Sequence, residues 1–107
     1  KVMIGIKALI RLTKFEDVKD ALLAIGVEFF TYYDVRGVTF QAEQKGTYRG
    51  TSIMDSSSVQ KRVLELVVPE EESKEVVDCI KKAASTGVVG DGKIYTFEIK
   101  NSVRISS

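Results

Sequence analysis

The chain has 107 residues, with 16 Lys plus Arg against 15 Asp plus Glu, one cysteine and no histidine. That length suits a single core. Cys79 alone excludes a disulfide framework, the missing histidines remove the usual zinc ligands and general acid–base groups, and a net charge of +1 creates no global field to gather nucleic acid or anionic lipid.

Residues Val2 to Leu12, "VMIGIKALIRL", alternate, with Ile4, Ile6, Ala8 and Ile10 on one side, which predicts a half-buried strand. In "TKFEDVKDALLAIG" the period changes. Thr13 and Glu16 have capping-box spacing, Phe15, Val18, Leu22 and Ile25 recur at helical spacing, and Gly26 supplies a stop. "VEFFTYYDVRG" (Val27 to Gly37) is aromatic and β-branched, and "VQKRVLELVV" (Val59 to Val68) is a further apolar run; both predict strands. Pro69 and three glutamates then open a second helix, Lys81 and Lys82 lie in its last turns, and Gly87 follows its end, so both ends complement the helix dipole. "KIYTFEI" (Lys93 to Ile99) predicts the fourth strand. The order strand, helix, strand, strand, helix, strand is that of a ferredoxin-like α+β sandwich, with two helices on one face of an antiparallel sheet.

The apolar runs are strand-sized, well below the roughly 18 residues of a membrane span, and no signal-peptide pattern opens the chain, so a cytoplasmic setting is expected. The first residue is Lys1, which leaves room for a fused partner domain. Residues 1–107 are read as one domain with a long flexible loop at 38–58. That loop exceeds the roughly 12 to 15 residues typical of an unstructured connection, and its apolar members Phe40, Tyr48, Ile53 and Met54 follow no single period. It reads equally as a bare hairpin tip or as a recognition loop, for which aromatic and arginine anchors are suited.

"GVVGDGKI" (Gly87 to Ile94) fits the phosphate-loop pattern G-x-x-x-x-G-K up to Lys93, but Ile94 stands where the metal-binding hydroxyl is required. The order of elements is also reversed, because a helix precedes this segment and a strand follows it. A nucleotide-hydrolase loop is therefore excluded. Gly90-Asp91-Gly92-Lys93 remains either a tight turn or a backbone nest able to hold phosphate.

"STGVVGDGKIYTFEI" (Ser85 to Ile99) resembles the C-terminal signature of the PII signal-transduction proteins. "YRG" (Tyr48 to Gly50) lies where that family carries the same tripeptide, and "KFEDVKDALLAIGV" and "LELVVPEE" resemble its first helix and its strand-to-helix passage. The resemblance covers nearly the whole chain. It implies a homotrimer binding ATP or ADP in clefts between neighbours, with Thr31, Gly37, Glu65 and Val67 around base and ribose, and Gly90, Asp91, Gly92, Lys93 and Arg104 around the phosphates. It further implies magnesium and 2-oxoglutarate at the loop base, with Gln41 offering a carbonyl oxygen to the metal when ATP is bound and Lys61 a charge to the dicarboxylate. Tyr48, Arg49, Gly50, Thr51, Ile53 and Met54 form the expected partner-binding loop. The implied target is an ammonium channel or a nitrogen-metabolism enzyme, with the membrane reached only through such a partner or a fused domain.

Departures from the family pattern have consequences. "GVTFQ" places Thr39 and Phe40 where the family has a second glycine and an arginine, and Ser106 replaces another arginine. Two phosphate cations are lost, which predicts weaker triphosphate binding and effective competition by ADP or AMP, since a charge-assisted hydrogen bond contributes roughly 1.5 to 3 kcal/mol. Ser52, Ile53 and Met54 occupy the positions around the family's uridylylated tyrosine, so that control is not expected, and Thr51 stands where some members carry a phosphorylated serine. An energy-charge sensor without a 2-oxoglutarate response is the nearest alternative. An acylphosphatase-like enzyme is a weaker one, because "VRGVTFQ" lacks that family's final arginine and no catalytic pair stands out. An RNA-binding sheet is disfavoured by the neutral charge and by the lack of stacking aromatics in "RGVTFQ"; Phe29, Phe30, Tyr32 and Tyr33 read as sheet and trimer packing.

Overall fold

The computed structural model describes residues 2–48 and 51–106, and describes only the backbone within 39–58. Strand β1 (Met3–Arg11) is followed by a short 3₁₀ turn (Leu12–Lys14) and helix α1 (Phe15–Ala24). Strands β2 (Thr31–Tyr48) and β3 (Thr51–Pro69) come next, then helix α2 (Glu70–Ala84) and strand β4 (Gly92–Ile99). The sheet order is β2-β3-β1-β4, and every pairing is antiparallel. This is the ferredoxin-like arrangement anticipated from the order of elements.

The alternation in β1 sets the two faces. Ile6, Ala8 and Ile10 are buried against Phe15, Val18 and Leu22 of α1 and Val76, Ile80 and Ala84 of α2, with Leu64, Leu66 and Val68 beside them from β3. Burying such side chains contributes about 1.5 to 3 kcal/mol each, which is why this face is the core. The opposite face carries no helix.

Helix boundaries follow local hydrogen bonding. At the end of α1, Val27 N–H donates to the Leu22 carbonyl and Gly26 N–H to the Leu23 carbonyl, both at 3.0 Å, with Gly26 at φ +91°. These are the two bonds of a Schellman stop, so Gly26 acts as expected. The expected capping box does not form. Lys14 caps α1 without any side-chain hydrogen bond, because the Phe15 amide turns back onto the Leu12 carbonyl and draws Thr13 into the 3₁₀ turn. Glu16 pairs instead with Lys19 at 2.9 Å. At the start of α2 the Glu70 amide donates to the Val2 carbonyl at 2.9 Å, tying the helix to the chain start.

The two central strands are much longer than their apolar runs. β2 begins at Thr31, four residues after the expected Val27, and pairs with β3 as far as Tyr48 opposite Thr51, with one irregularity between Ala42 and Thr47. Main-chain pairing thus carries 38–48 and 51–58 as a ribbon beyond the core, and ladder bonds need no apolar alternation to form it. On the core side of β2, Arg62 chelates Asp34 through Nε at 2.6 Å and Nη2 at 3.1 Å. Its guanidinium lies 4.6 Å from the Phe15 ring centre and 5.0 Å from that of Tyr32, and Phe15 meets Phe30 edge-on. Phe30 and Tyr32 therefore do serve sheet packing.

Candidate functional site

The helix-free face of the sheet carries the candidate residues at its two ends. Register places Lys7 opposite Glu65, Arg11 opposite Lys61, Thr31 opposite Glu65, Gly5 opposite Phe97 and Lys7 opposite Tyr95. Because side chains alternate along a strand, all of these share one face. Tyr33, Val67, Tyr95 and Phe97 there are 42 to 49% exposed.

At the end where β1 begins and β3 finishes, an open cavity of about 670 Å³ is lined by Gly5, Lys7, Thr31, Glu65, Val67 and Phe97, among others. Gly5 admits a close approach: a Cβ there would stand 2.5 Å from the Phe97 ring, so the ring lies directly over the β1 backbone. Glu65 is half-buried on this wall. Its Oε2 accepts a 2.7 Å hydrogen bond from the Tyr33 hydroxyl and lies 3.7 Å from Lys7 Nζ, while Thr31 Oγ1 donates to the Glu65 carbonyl at 3.4 Å. The bond to Glu65 pushes the Tyr33 phenol above its ordinary range.

At the other end of the same face lies the 86–92 turn. The Asp91 carboxylate accepts from the Thr86 amide at 2.7 Å, the Thr86 hydroxyl at 2.5 Å, the Gly87 amide at 3.1 Å and Arg11 Nε at 2.9 Å. These donors, the Thr86 hydroxyl foremost and Arg11 next, hold its carboxyl well below the usual carboxylate range. Arg11 Nη2 also donates to the Val89 carbonyl at 3.2 Å, and Lys61 Nζ donates to the Gly90 carbonyl. Burial, and then the Arg11 charge beside it, lower the Lys61 ammonium pKa.

Gly92 has no substitute at this point. Its φ is +128°, and a Cβ would come within 1.8 Å of the Leu9 carbonyl oxygen. The turn therefore presses directly on β1, and Lys93 emerges on the exposed edge opposite Leu9.

The expected residues thus fall into two separate groups. Thr31, Glu65 and Val67 line the large cavity, whereas Gly37, Gly90, Asp91, Gly92, Lys93 and Arg104 do not. Arg104 is exposed beyond β4. The side chains of Gln41, Tyr48, Thr51, Ile53 and Met54, and the whole of Arg49 and Gly50, lie outside the described residues.

Sequence reading missed Arg11, Thr86, Tyr33 and Lys7. Arg11 had a signal only once register was known: two cations directly opposite in an antiparallel pair are unfavourable unless an acceptor separates them, and Asp91 and the turn carbonyls do so.

Comparison with known proteins agrees with this fold. The chain is 41% identical over 105 residues to Nitrogen regulatory protein P-II 1 of Methanothermobacter thermautotrophicus, covering 98% of this chain and 90% of the relative. It is 36% identical over 100 residues to Nitrogen regulatory protein P-II 1 of Escherichia coli, covering 94% and 88%. Among solved structures, B. subtilis GlnK superimposes with a TM-score of 0.87 at 30% identity, over 100% of this chain and 93% of that one. A B. subtilis GlnK–ATP complex superimposes at 0.80 with 29% identity, over 95% and 85%. Arabidopsis thaliana PII bound to citrate does so at 0.72 with 27% identity, over 98% and 84%. The family model for Nitrogen regulatory protein P-II matches residues 3–107, and the chain belongs to that family.

Proposed function

We propose that this protein is a non-catalytic signal transducer that binds ATP or ADP in clefts between the subunits of a homotrimer. Residues 38–58 would then control a nitrogen-metabolism target such as an ammonium channel. The observation that carries this reading is the split of the site: the Glu65 cavity, which wraps the sheet end from the bare face to Glu72 and Val76 of α2, and the Gly90–Lys93 turn lie at opposite ends of the sheet. Two halves so separated make one cleft when a neighbouring copy brings its turn to this cavity. Such a neighbour would also cover Tyr33, Val67, Tyr95 and Phe97, an exposed apolar group of the kind that marks an association surface. The ATP complex of the structurally similar GlnK supports the nucleotide.

On this reading Thr31, Gly37, Glu65 and Val67 receive base and ribose, the carboxylate accepting from a hydroxyl or amine. Gly90, Gly92, Lys93 and Arg104 receive the phosphates through amides and cations. Asp91 belongs to the same turn as a positioning residue, since four donors already hold its carboxylate. Gln41 would offer its carbonyl to magnesium, and Lys61, beside Arg11, would meet the 2-oxoglutarate carboxylates. Because Gly37 and Val59 pair within the same ladder that runs out to Tyr48 and Thr51, a ligand at the strand end acts on the backbone continuous with the partner loop. The protein works in the cytoplasm and reaches a membrane through its partner; no helix among the described residues is long and apolar enough to cross one.

A second reading, an ADP or AMP sensor without a 2-oxoglutarate response, is favoured by Thr39, Phe40 and Ser106 at positions where the family carries glycine and arginines. Calorimetric titration with ATP and ADP, then with 2-oxoglutarate in ATP and magnesium, separates the two. Nucleotide binding near one per subunit with 2-oxoglutarate heat only in the presence of ATP supports the first reading. Nucleotide binding without that heat supports the second, and no nucleotide binding refutes both.

A further inference from the structure

We infer that Tyr33 and Lys7 are positioning residues that fix the Glu65 carboxylate so that its second oxygen selects a hydrogen-bond donor on the bound nucleotide. This rests on the nucleotide reading above and deepens it.

A glutamate on a strand surface has three rotatable bonds, and in an open cavity an untethered carboxylate samples many orientations. Here both contacts converge on one atom: Oε2 accepts from the Tyr33 hydroxyl at 2.7 Å and faces Lys7 Nζ at 3.7 Å. Tyr33 stands on β2 and Lys7 on β1, so Glu65 on the strand between them is held from both sides. A phenol gives a stiff donor, with two side-chain torsions against the four of lysine. The hydrogen bond fixes the direction of the carboxylate, and the lysine adds a second contact on the same oxygen. With Oε2 engaged on the sheet, Oε1 is left to accept from a ligand in the cavity that Glu65 and Lys7 both line. Recognition by a fixed carboxylate discriminates strongly against a ligand lacking the matching N–H or O–H, because the acceptor is then left without its partner.

The two chemical sources of that donor are the base amine and a ribose hydroxyl. The experiment titrates the full-length protein and its Tyr33→Phe variant with ATP, 2′-deoxy-ATP, 3′-deoxy-ATP and purine riboside triphosphate, which lacks the amine. In the wild-type protein one analogue binds about tenfold more weakly than ATP, which identifies the contacted group. Tyr33→Phe weakens ATP about tenfold but leaves that particular analogue almost unchanged, because the selecting contact is already absent. A general structural loss would weaken all four ligands equally and would overturn the inference, as would an unchanged ATP affinity or a wild-type protein that binds all four alike. Lys7→Met is the second variant, expected to shrink the same selectivity by a smaller factor; with Tyr33→Phe unfolded by circular dichroism, its selectivity decides. Failure of the wild-type protein to bind ATP is a different result: it removes the nucleotide reading itself.

Discussion

Gly92→Ala tests the turn most directly, because the geometry at this glycine leaves the backbone nowhere to move. At φ +128° an L-residue is strained by about 1 to 3 kcal/mol. The added Cβ would also stand 1.8 Å from the Leu9 carbonyl oxygen, a main-chain atom of the adjacent strand that has no rotamer with which to retreat. β4 must therefore peel from β1 at its first pairs, Gly92 with Ile10 and Lys93 with Leu9, losing ladder bonds that contribute about 1 kcal/mol each. Together the loss comes to about 3 to 5 kcal/mol, a large part of the 5 to 15 kcal/mol of a typical domain. Gly26→Ala isolates the strain alone, since Gly26 has φ +91° but nothing within 4 Å of its Cβ position, and about 1 to 2 kcal/mol is expected there. Urea unfolding of both variants at one fixed protomer concentration measures the difference, which at a slope of about 2 kcal/mol per molar is roughly 0.5 to 2 M in midpoint. Equal midpoints for the two variants would refute the close approach of the turn to β1.

Acid stability follows from Asp91. Its folded pKa is depressed below the ordinary carboxylate value of about 3.9, so its stabilising contribution is complete above that value and disappears as pH falls towards the folded pKa. Between pH 7 and pH 3 the melting temperature of the wild-type protein should accordingly fall more than that of Asp91→Asn; parallel curves would show that the carboxylate cluster does not stabilise the fold. Gly5→Ala drives a Cβ against the Phe97 ring at 2.5 Å, and the ring, which lines the cavity, must shift. Nucleotide affinity should therefore drop several-fold while the melting temperature changes little, a result checked by titration beside a thermal scan.

The α+β order, the end of α1 and both limits of α2 were legible because periodicity and end signals act locally. Ile6, Ala8 and Ile10 alternate into the core, and Gly26 closes α1 with the bonds its position implied. The Gly90–Lys93 turn was legible too, since Gly92 satisfies a steric demand that other residues cannot meet. The ribbon of β2 and β3 was not, because its pairing depends on main-chain bonds that leave no apolar pattern in "VTFQAEQKGTYRGTSIMDSSS". Nor could spacing reveal Arg11: it lies 80 positions from Asp91 in sequence, and only the β1 register brings the pair to 2.9 Å. Thr13 failed as a cap for the opposite reason, since its local signal was strong and a competing local bond from Phe15 to Leu12 displaced it.

The charge arrangement at the turn bears on which nucleotide the proposed site would favour. A carboxylate inside an anion cradle repels phosphate unless its charge is neutralised, and Asp91 receives Arg11 together with three uncharged donors from Thr86 and Gly87. Arg11 is thereby committed to the turn, and Lys61 likewise faces the Gly90 carbonyl. Lys93, exposed and, among the described residues, paired only through its backbone with Leu9, would then be the turn's own cation for a ligand. Phe40 and Ser106 add no charge where the resemblance places arginines, so in the proposed site each further phosphate would meet fewer cations than in the common pattern. On the proposed reading, the gain from ADP to ATP would depend on whatever draws Arg11 and Lys61 off the turn, and a dianionic ligand beside them would be the chemical species suited to do so. Affinity for the third phosphate and response to such a ligand would then be coupled through the same two side chains.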